Sequence, residues 1–161
     1  MSNILLNAYI AGGTSTGGPI DINGTTNSGV GFDTAKLNGF GEAAAIVTIG
    51  NIAADSTVLK LQHSDDNSTW ADVTSGSFSG AALPTAAGGD NRQWMIHVRM
   101  GGACKRYLRV VATAGAGATL YGVVWIGLHG GTGVNGSTET ARSIAQNLGD
   151  GTNLGRLVLA P

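Results

Sequence analysis

From Asp33 onward, clusters of Gly, Asn, Asp and Ser break the sequence into short apolar runs, and this spacing restricts the fold more than any single motif. Runs of that length bounded by turn residues are the signature of β-strands joined by tight connections. The candidates are Ala43–Ile49, Thr57–His63, Ser68–Val73, Gln93–Met100, Tyr107–Ala112 and Thr119–Leu128. In Thr57–His63, Val58, Lys60 and Gln62 point one way, and Leu59, Leu61 and His63 the other. In Gln93–Met100, Trp94, Ile96, Val98 and Met100 share a face opposite Met95, His97 and Arg99. A period of two is that of a half-buried strand. Val123-Val124-Trp125-Ile126 is apolar on both faces, as a central or doubly covered strand is. Strands at this spacing predict a sandwich or jelly roll rather than a fold built from βαβ units.

The flanks differ from this middle. Residues 1–13 form a short apolar segment ending in Gly12-Gly13, and the Gly-, Ser-, Thr- and Asn-rich stretch after it carries a hairpin signal at Asn23-Gly24. Near the other end, Ala141, Ile144, Ala145 and Leu148 fall at helical spacing, with Ser137 or Thr138 as cap and Gly149 past the end. A last apolar strand is expected over Arg156–Ala160. The reading is therefore residues 1–30 as N-terminal arm and linker, 31–130 as β-sandwich core, and 131–161 as a C-terminal segment with a short helix and a final strand. Ile4, Leu5, Leu6, Tyr9 and Ile10 at one end, and Leu154, Leu157, Val158 and Leu159 at the other, are joined to the middle by Gly-rich connections. Such ends either pack on their own domain or dock on a neighbouring subunit; docking is the expectation.

Composition bounds the function. The 161 residues are the size of one domain, and only 12% are charged, against about 25% in a typical soluble domain. Glycine contributes 27 residues, about one in six. Few charges suit a surface that lies against another protein, and equally a Gly- and Thr-rich β-protein in solvent. A net charge of −1 argues against a general nucleic-acid binder, for which the Lys105-Arg106 and Arg109 cluster is too small. No apolar run approaches the roughly 20 residues that cross a bilayer, and Met1–Ile10 lacks the basic start of a signal peptide, so synthesis in a cytoplasm is expected. Cys104 is the only cysteine, which rules out an intrachain disulfide.

Chemistry-bearing patterns are sparse. Asp65 and Asp66 could offer oxygens to Ca²⁺, but shaping a hairpin turn is the simpler role. Gly131-Thr132-Gly133-Val134-Asn135-Gly136 is a literal GxGxxG, yet only 25 residues (161 − 136) follow it, too few for a dinucleotide-binding domain. His63 and His97 stand on different candidate strands and His129 at the end of a third, with no metal-ligand spacing. No nucleophile elbow is present, and Glu42 and Glu139 are the only glutamates. No catalytic role and no cofactor or metal is expected. Trp70, Trp94, Trp125, Tyr107 and Tyr121 could form a sugar platform, although aromatics on alternating strands more often anchor a core or an interface.

One stretch resembles known proteins. Ser64-Asp65-Asp66-Asn67-Ser68-Thr69-Trp70-Ala71-Asp72-Val73 is similar to the S-D-D-G-x-x-W-x-x-V hairpin of discoidin-like and other jelly-roll binding modules, with Asn67 where the pattern has Gly. Arg106-Tyr107-Leu108-Arg109-Val110 is similar to their R-Y-x-R-φ strand. Gly31-Phe32-Asp33-Thr34-Ala35, the strand Ala45–Ile49, the hairpin and the Arg-Tyr strand come in the order found in small structural proteins of tailed-phage heads. The resemblance covers roughly residues 31–128. It implies a jelly-roll β-sandwich with extended arms and at most one short helix, serving as a capsid decoration or cement protein. It further implies the major capsid protein and further copies of itself, as a homotrimer, as partners, and the virion surface as location. Glycans, bound by the same fold as a carbohydrate module on a virion or tail fibre, are the alternative, and another head or tail component a third.

Overall fold

A computed structural model describes residues 10–16, 18–37, 42–78, 83–87, 91–99, 104–128 and 154–159. They fold as an all-β sandwich. Its strands are β1 (Ile10–Gly12), β2 (Ile20–Asp21), β3 (Thr26–Asn27), β4 (Phe32–Asp33), β5 (Glu42–Ile52), β6 (Val58–Ser64), β7 (Ala71–Ser77), β8 (Arg92–Arg99), β9 (Tyr107–Thr113), β10 (Thr119–Leu128) and β11 (Leu154–Leu159). A 3₁₀ turn over Thr34–Leu37 is the only helical element among the described residues.

The first sheet, sheet A, runs β1-β10-β5-β8-β11, with β2 also on β10. The second, sheet B, runs β3-β9-β6-β7, with β4 also on β9. Pairings are antiparallel except β11 on β8, which is parallel and in register from Leu154 opposite Gln93 to Leu159 opposite Val98. From β5 to β10 the chain changes sheet at every connection but one. The exception is the β6–β7 hairpin. Such crossings let each strand contribute one face to a shared interior, as in sandwiches of Greek-key or jelly-roll type.

Alternation decides which face that is. Leu59 and Leu61 of β6 are buried while Lys60 and Gln62 are not, as the period of two requires. Trp94, Ile96 and Val98 of β8 lie in the core, and Met95 and His97 on the opposite face are buried as well. On β10, Tyr121, Val123 and Trp125 point inward. Phe32 of β4 stacks on Trp125 with ring centroids 4.8 Å apart and planes 7° from parallel. This contact joins the two sheets near one edge. Replacing an aromatic residue so placed by alanine typically costs about 3–5 kcal/mol.

Several expectations are revised by the topology. Asn23-Gly24 does form a turn, with Gly24 at φ +59°. It is no hairpin, because β2 before it pairs with β10 and β3 after it with β9. The turn is held instead by the β9–β10 connection: Gly24 N donates to Gly115 O, and Asn23 Oδ1 accepts from Gly117 N. Residues 65–69 are turn and the strand is Ala71–Ser77, so the expected strand Ser68–Val73 begins later. Strand β10 is central in its sheet, but Leu120 and Val124 on its outer face are exposed, so it is covered on one side only. Residues 10–27, expected within the arm and linker, supply β1, β2 and β3 along the edges of both sheets. The last strand, expected over Arg156–Ala160, is Leu154–Leu159. The helix expected between Ser137 and Gly149 lies outside the described residues, as do Ile4, Leu5, Leu6 and Tyr9.

Candidate interaction surfaces

The β6–β7 turn is built around one carboxylate. Asp66 Oδ1 accepts from the Ser64 hydroxyl (2.8 Å) and from the backbone N–H groups of Ser68 (2.9 Å) and Thr69 (2.7 Å), while Oδ2 accepts from the Thr69 hydroxyl (3.0 Å). The Thr69 and Ser68 N–H groups, with the Ser64 hydroxyl, hold the Asp66 carboxyl well below the usual carboxylate range. Asn67 follows at φ +59°, the left-handed geometry that glycine supplies in the similar hairpins. Asp65 pairs with Lys105 instead of joining Asp66. Both aspartates therefore have structural partners, and no group of three or more candidate ligands gathers among the described residues.

The turn fastens the loop before β4. A side chain on Gly31 would collide with the Asn67 carboxamide and approach Trp70, so this backbone passes directly beneath both. Trp70 in turn carries Arg109, whose guanidinium carbon lies 4.2 Å from the ring centroid. Arg109 Nε and Nη2 both donate to Gln62 Oε1 at 2.9 and 2.7 Å. Gln62 Nε2 donates to Asp72 Oδ1 (2.8 Å), and Lys60 Nζ reaches Asp72 Oδ2 (2.8 Å). The Lys60 and Gln62 side chains lower the Asp72 carboxyl below its ordinary range. At the start of β9, Arg106 grips Asp33 through Nε and Nη2, both at 2.9 Å, and covers the Tyr107 ring. These bonds lower the Asp33 carboxyl. The outer face of sheet B thus carries separate charged and hydrogen-bonded groups, one running from Lys60 through Asp72, Gln62 and Arg109 to Trp70, another joining Asp33, Arg106 and Tyr107. Asn67, Trp70 and Arg109 tie the turn to the Gly31 loop and to β9, Asp66 holds the turn itself, and Asp65 and Tyr107 meet Lys105 and Arg106 beside them.

The outer face of sheet A has opposite character. Leu120 is 52% and Val124 42% exposed. Ile126 on β10, and Ile46 opposite Val124 on β5, are partly exposed beside them. Gly122 and Thr48 complete the rows, and no charged side chain stands among these positions. Asp21, opposite Leu120 on β2, turns its carboxylate to the Thr119 N–H at 2.9 Å. On β8 and β5 of the same sheet His97 pairs with Glu42, Nε2 to Oε2 2.8 Å, with the side chains 3% and 13% exposed.

The remaining candidates are placed as follows. Trp94, Trp125 and Tyr121 are buried in the core, and Trp70 has one ring face taken by Arg109. His63 and His97 lie on separate sheets, and His129 is outside the described residues, as is the glycine run Gly131–Gly136. Cys104 is half-buried, and desolvation raises its thiol pKa. Ile10 lies in β1, and Leu154, Leu157, Val158 and Leu159 lie in β11. The Leu120–Val124 strip was open to sequence reasoning, since both residues alternate with the inward Tyr121, Val123 and Trp125. Its exposure was hidden because nothing in the alternation says which face lacks a cover. No protein-family model matches the chain, and no curated protein matches it.

Proposed function

We propose that the protein is a virion structural component that binds the assembled capsid surface as a homotrimer and reinforces it, with the major capsid protein as partner. The observation that carries this reading is the two-sided character of the sandwich. Sheet B carries hydrogen-bonded charged side chains on its outer face, whereas sheet A presents the uncharged strip Leu120–Val124 with Ile46 and Ile126. A surface poor in charge and bearing exposed aliphatics is what a protein needs where it lies against another. The order of the Gly31–Ala35 segment, the Ala45–Ile49 strand, the Ser64–Val73 hairpin and the Arg106–Val110 strand, similar to that in small phage-head proteins, supports the same reading, and here the last two motifs meet through Arg109 and Trp70. Reinforcement requires no covalent step: a partner that binds only the assembled shell shifts the equilibrium toward it, by about 2.7 kcal/mol per site at a free concentration of 100 Kd.

The test is sedimentation of the purified protein with empty shells of the cognate major capsid protein, followed by thermal disruption of the shells. Co-sedimentation in fixed stoichiometry, with a raised disruption temperature, is expected. Protein left in the supernatant at micromolar concentration would overturn the proposal, and a glycan array would then be the next measurement.

A further inference from the structure

Among the described residues, Asn23-Gly24 is the one place where an asparagine is followed directly by glycine, and both residues are exposed. That dipeptide carries a reaction of its own. The Gly24 nitrogen, on losing its proton, attacks Asn23 Cγ. The new C–N bond closes a succinimide ring, the bond from Cγ to Nδ2 breaks, and the proton leaves with the nitrogen as ammonia. Water then opens the ring at one of its two carbonyls, giving aspartate or isoaspartate. Glycine favours the attack because no Cβ shields its nitrogen.

The fold ties down both reacting groups. Gly24 N donates to Gly115 O at 3.0 Å, and Asn23 Oδ1 accepts from Gly117 N at 2.8 Å. Thr25 N donates to Ile22 O at 3.1 Å and closes the turn around them. Removing the Gly24 proton in this state would set an anionic nitrogen against the Gly115 carbonyl oxygen. Swinging Asn23 Cγ over that nitrogen would pull Oδ1 away from Gly117. Both steps require the turn to lift off the β9–β10 connection. On the β2 side that lift is opposed as well: Asp21 Oδ1 accepts from Thr119 N at 2.9 Å, and Ile22 N donates to Thr119 O at 3.0 Å.

We propose that Asn23 is a deamidation site gated by this turn, withheld in the closed fold and exposed each time the turn opens. The change is one-way, because ammonia is lost. Isoaspartate adds a methylene to the main chain between Ile22 and Gly24, so the bonds to Gly115 and Gly117 cannot re-form in their present register. The turn joins β2 on sheet A to β3 on sheet B, and its modification loosens that link between the sheets. The mark is independent of what the protein binds.

Full-length protein and a synthetic peptide of residues 20–27 are incubated side by side at mildly alkaline pH. Tandem mass spectrometry follows the acid products at Asn23, and separates them from those at Asn38-Gly39 and Asn135-Gly136, which carry the same dipeptide. Deamidation is expected to be at least about ten-fold slower in the protein than in the peptide. The ratio should match the hydrogen-exchange protection of the Gly24 amide to within about three-fold, since one opening admits both reactions. Asp21→Ala leaves the dipeptide untouched and removes the acceptor of the Thr119 N–H, so it should raise both rates together, by roughly ten-fold. Equal deamidation in protein and peptide would overturn the proposal. So would faster Gly24 exchange in Asp21→Ala with no gain in deamidation.

Discussion

Arg109 stacks on Trp70 at 4.2 Å while both of its donating nitrogens converge on the carbonyl oxygen of Gln62. A planar guanidinium can satisfy both partners at once, and a lysine ammonium cannot. Arg109→Lys is therefore expected to lose about 1–2 kcal/mol of stability, from the cation–π contact and one charged hydrogen bond. Trp70→Leu, which removes only the ring, should cost a similar amount, and the double variant less than the sum. Urea unfolding of the four proteins measures this; strict additivity would show that the pair does not couple.

Tyr121 presents the opposite case, a polar group with nothing to bond. Its ring is fully buried between the sheets, and its hydroxyl has no hydrogen-bond partner among the described residues. Burial pushes the phenol pKa far above the usual value. An unsatisfied buried hydroxyl costs about 1–3 kcal/mol, and Phe keeps the shape without it. Tyr121→Phe is expected to raise the unfolding free energy by about 1 kcal/mol. A loss of similar size in thermal or urea unfolding would mean that the hydroxyl is bonded in solution.

These two sites mark what could be read in the sequence and what could not. The long strands were legible because alternation and turn residues are local signals; Thr119–Leu128 falls on the expected residues, and β5, β6, β8 and β9 within a few. The hairpin motif was legible as a turn, but its contacts with Arg109 and Gly31 join distant segments, and no local pattern encodes them. Strands β1 to β4 have only two or three residues each, too few to show a period. Their role as edge strands follows from where β9 and β10 leave ladder positions open. The parallel pairing of β11 is likewise a property of the assembled sheet.

Gly29 tests how firmly that edge segment is fixed. It sits at φ +61°, and a Cβ there would lie 2.6 Å from the Val110 carbonyl oxygen and 2.8 Å from that of Gly13. Neither is a flexible side chain that could move aside. The left-handed conformation alone costs a residue with a Cβ about 1–2 kcal/mol. Gly29→Ala should accordingly destabilise the protein by at least about 2 kcal/mol in urea unfolding. It should also speed proteolysis within residues 10–33. A change below about 0.5 kcal/mol would show that this loop can move off β9.

Asp66 sets an acid dependence whose sign follows from its bonds. The Thr69 and Ser68 N–H groups and the Ser64 hydroxyl favour the carboxylate, so the folded-state pKa lies below the unfolded value of about 3.9. The unfolded chain then binds the proton more readily, and stability must fall as pH drops through this range. The contribution is fully present at pH 7, begins to fade below about pH 4.5, and keeps declining towards the lowered folded-state pKa. Asp66→Asn keeps an acceptor for the Ser68 and Thr69 N–H groups but cannot ionise. The variant should be less stable than the parent at pH 7, and the gap should narrow steadily from pH 4.5 to pH 2. Asp33 and Asp72, held low by Arg106 and by Lys60 with Gln62, retain their own acid dependence in the variant, so its curve flattens without becoming level. Urea midpoints measured across that interval decide the matter. Parallel curves would mean that the ionised Asp66 carboxylate does not hold the β6–β7 turn, and the turn's grip on Gly31 and Trp70 would then need another source.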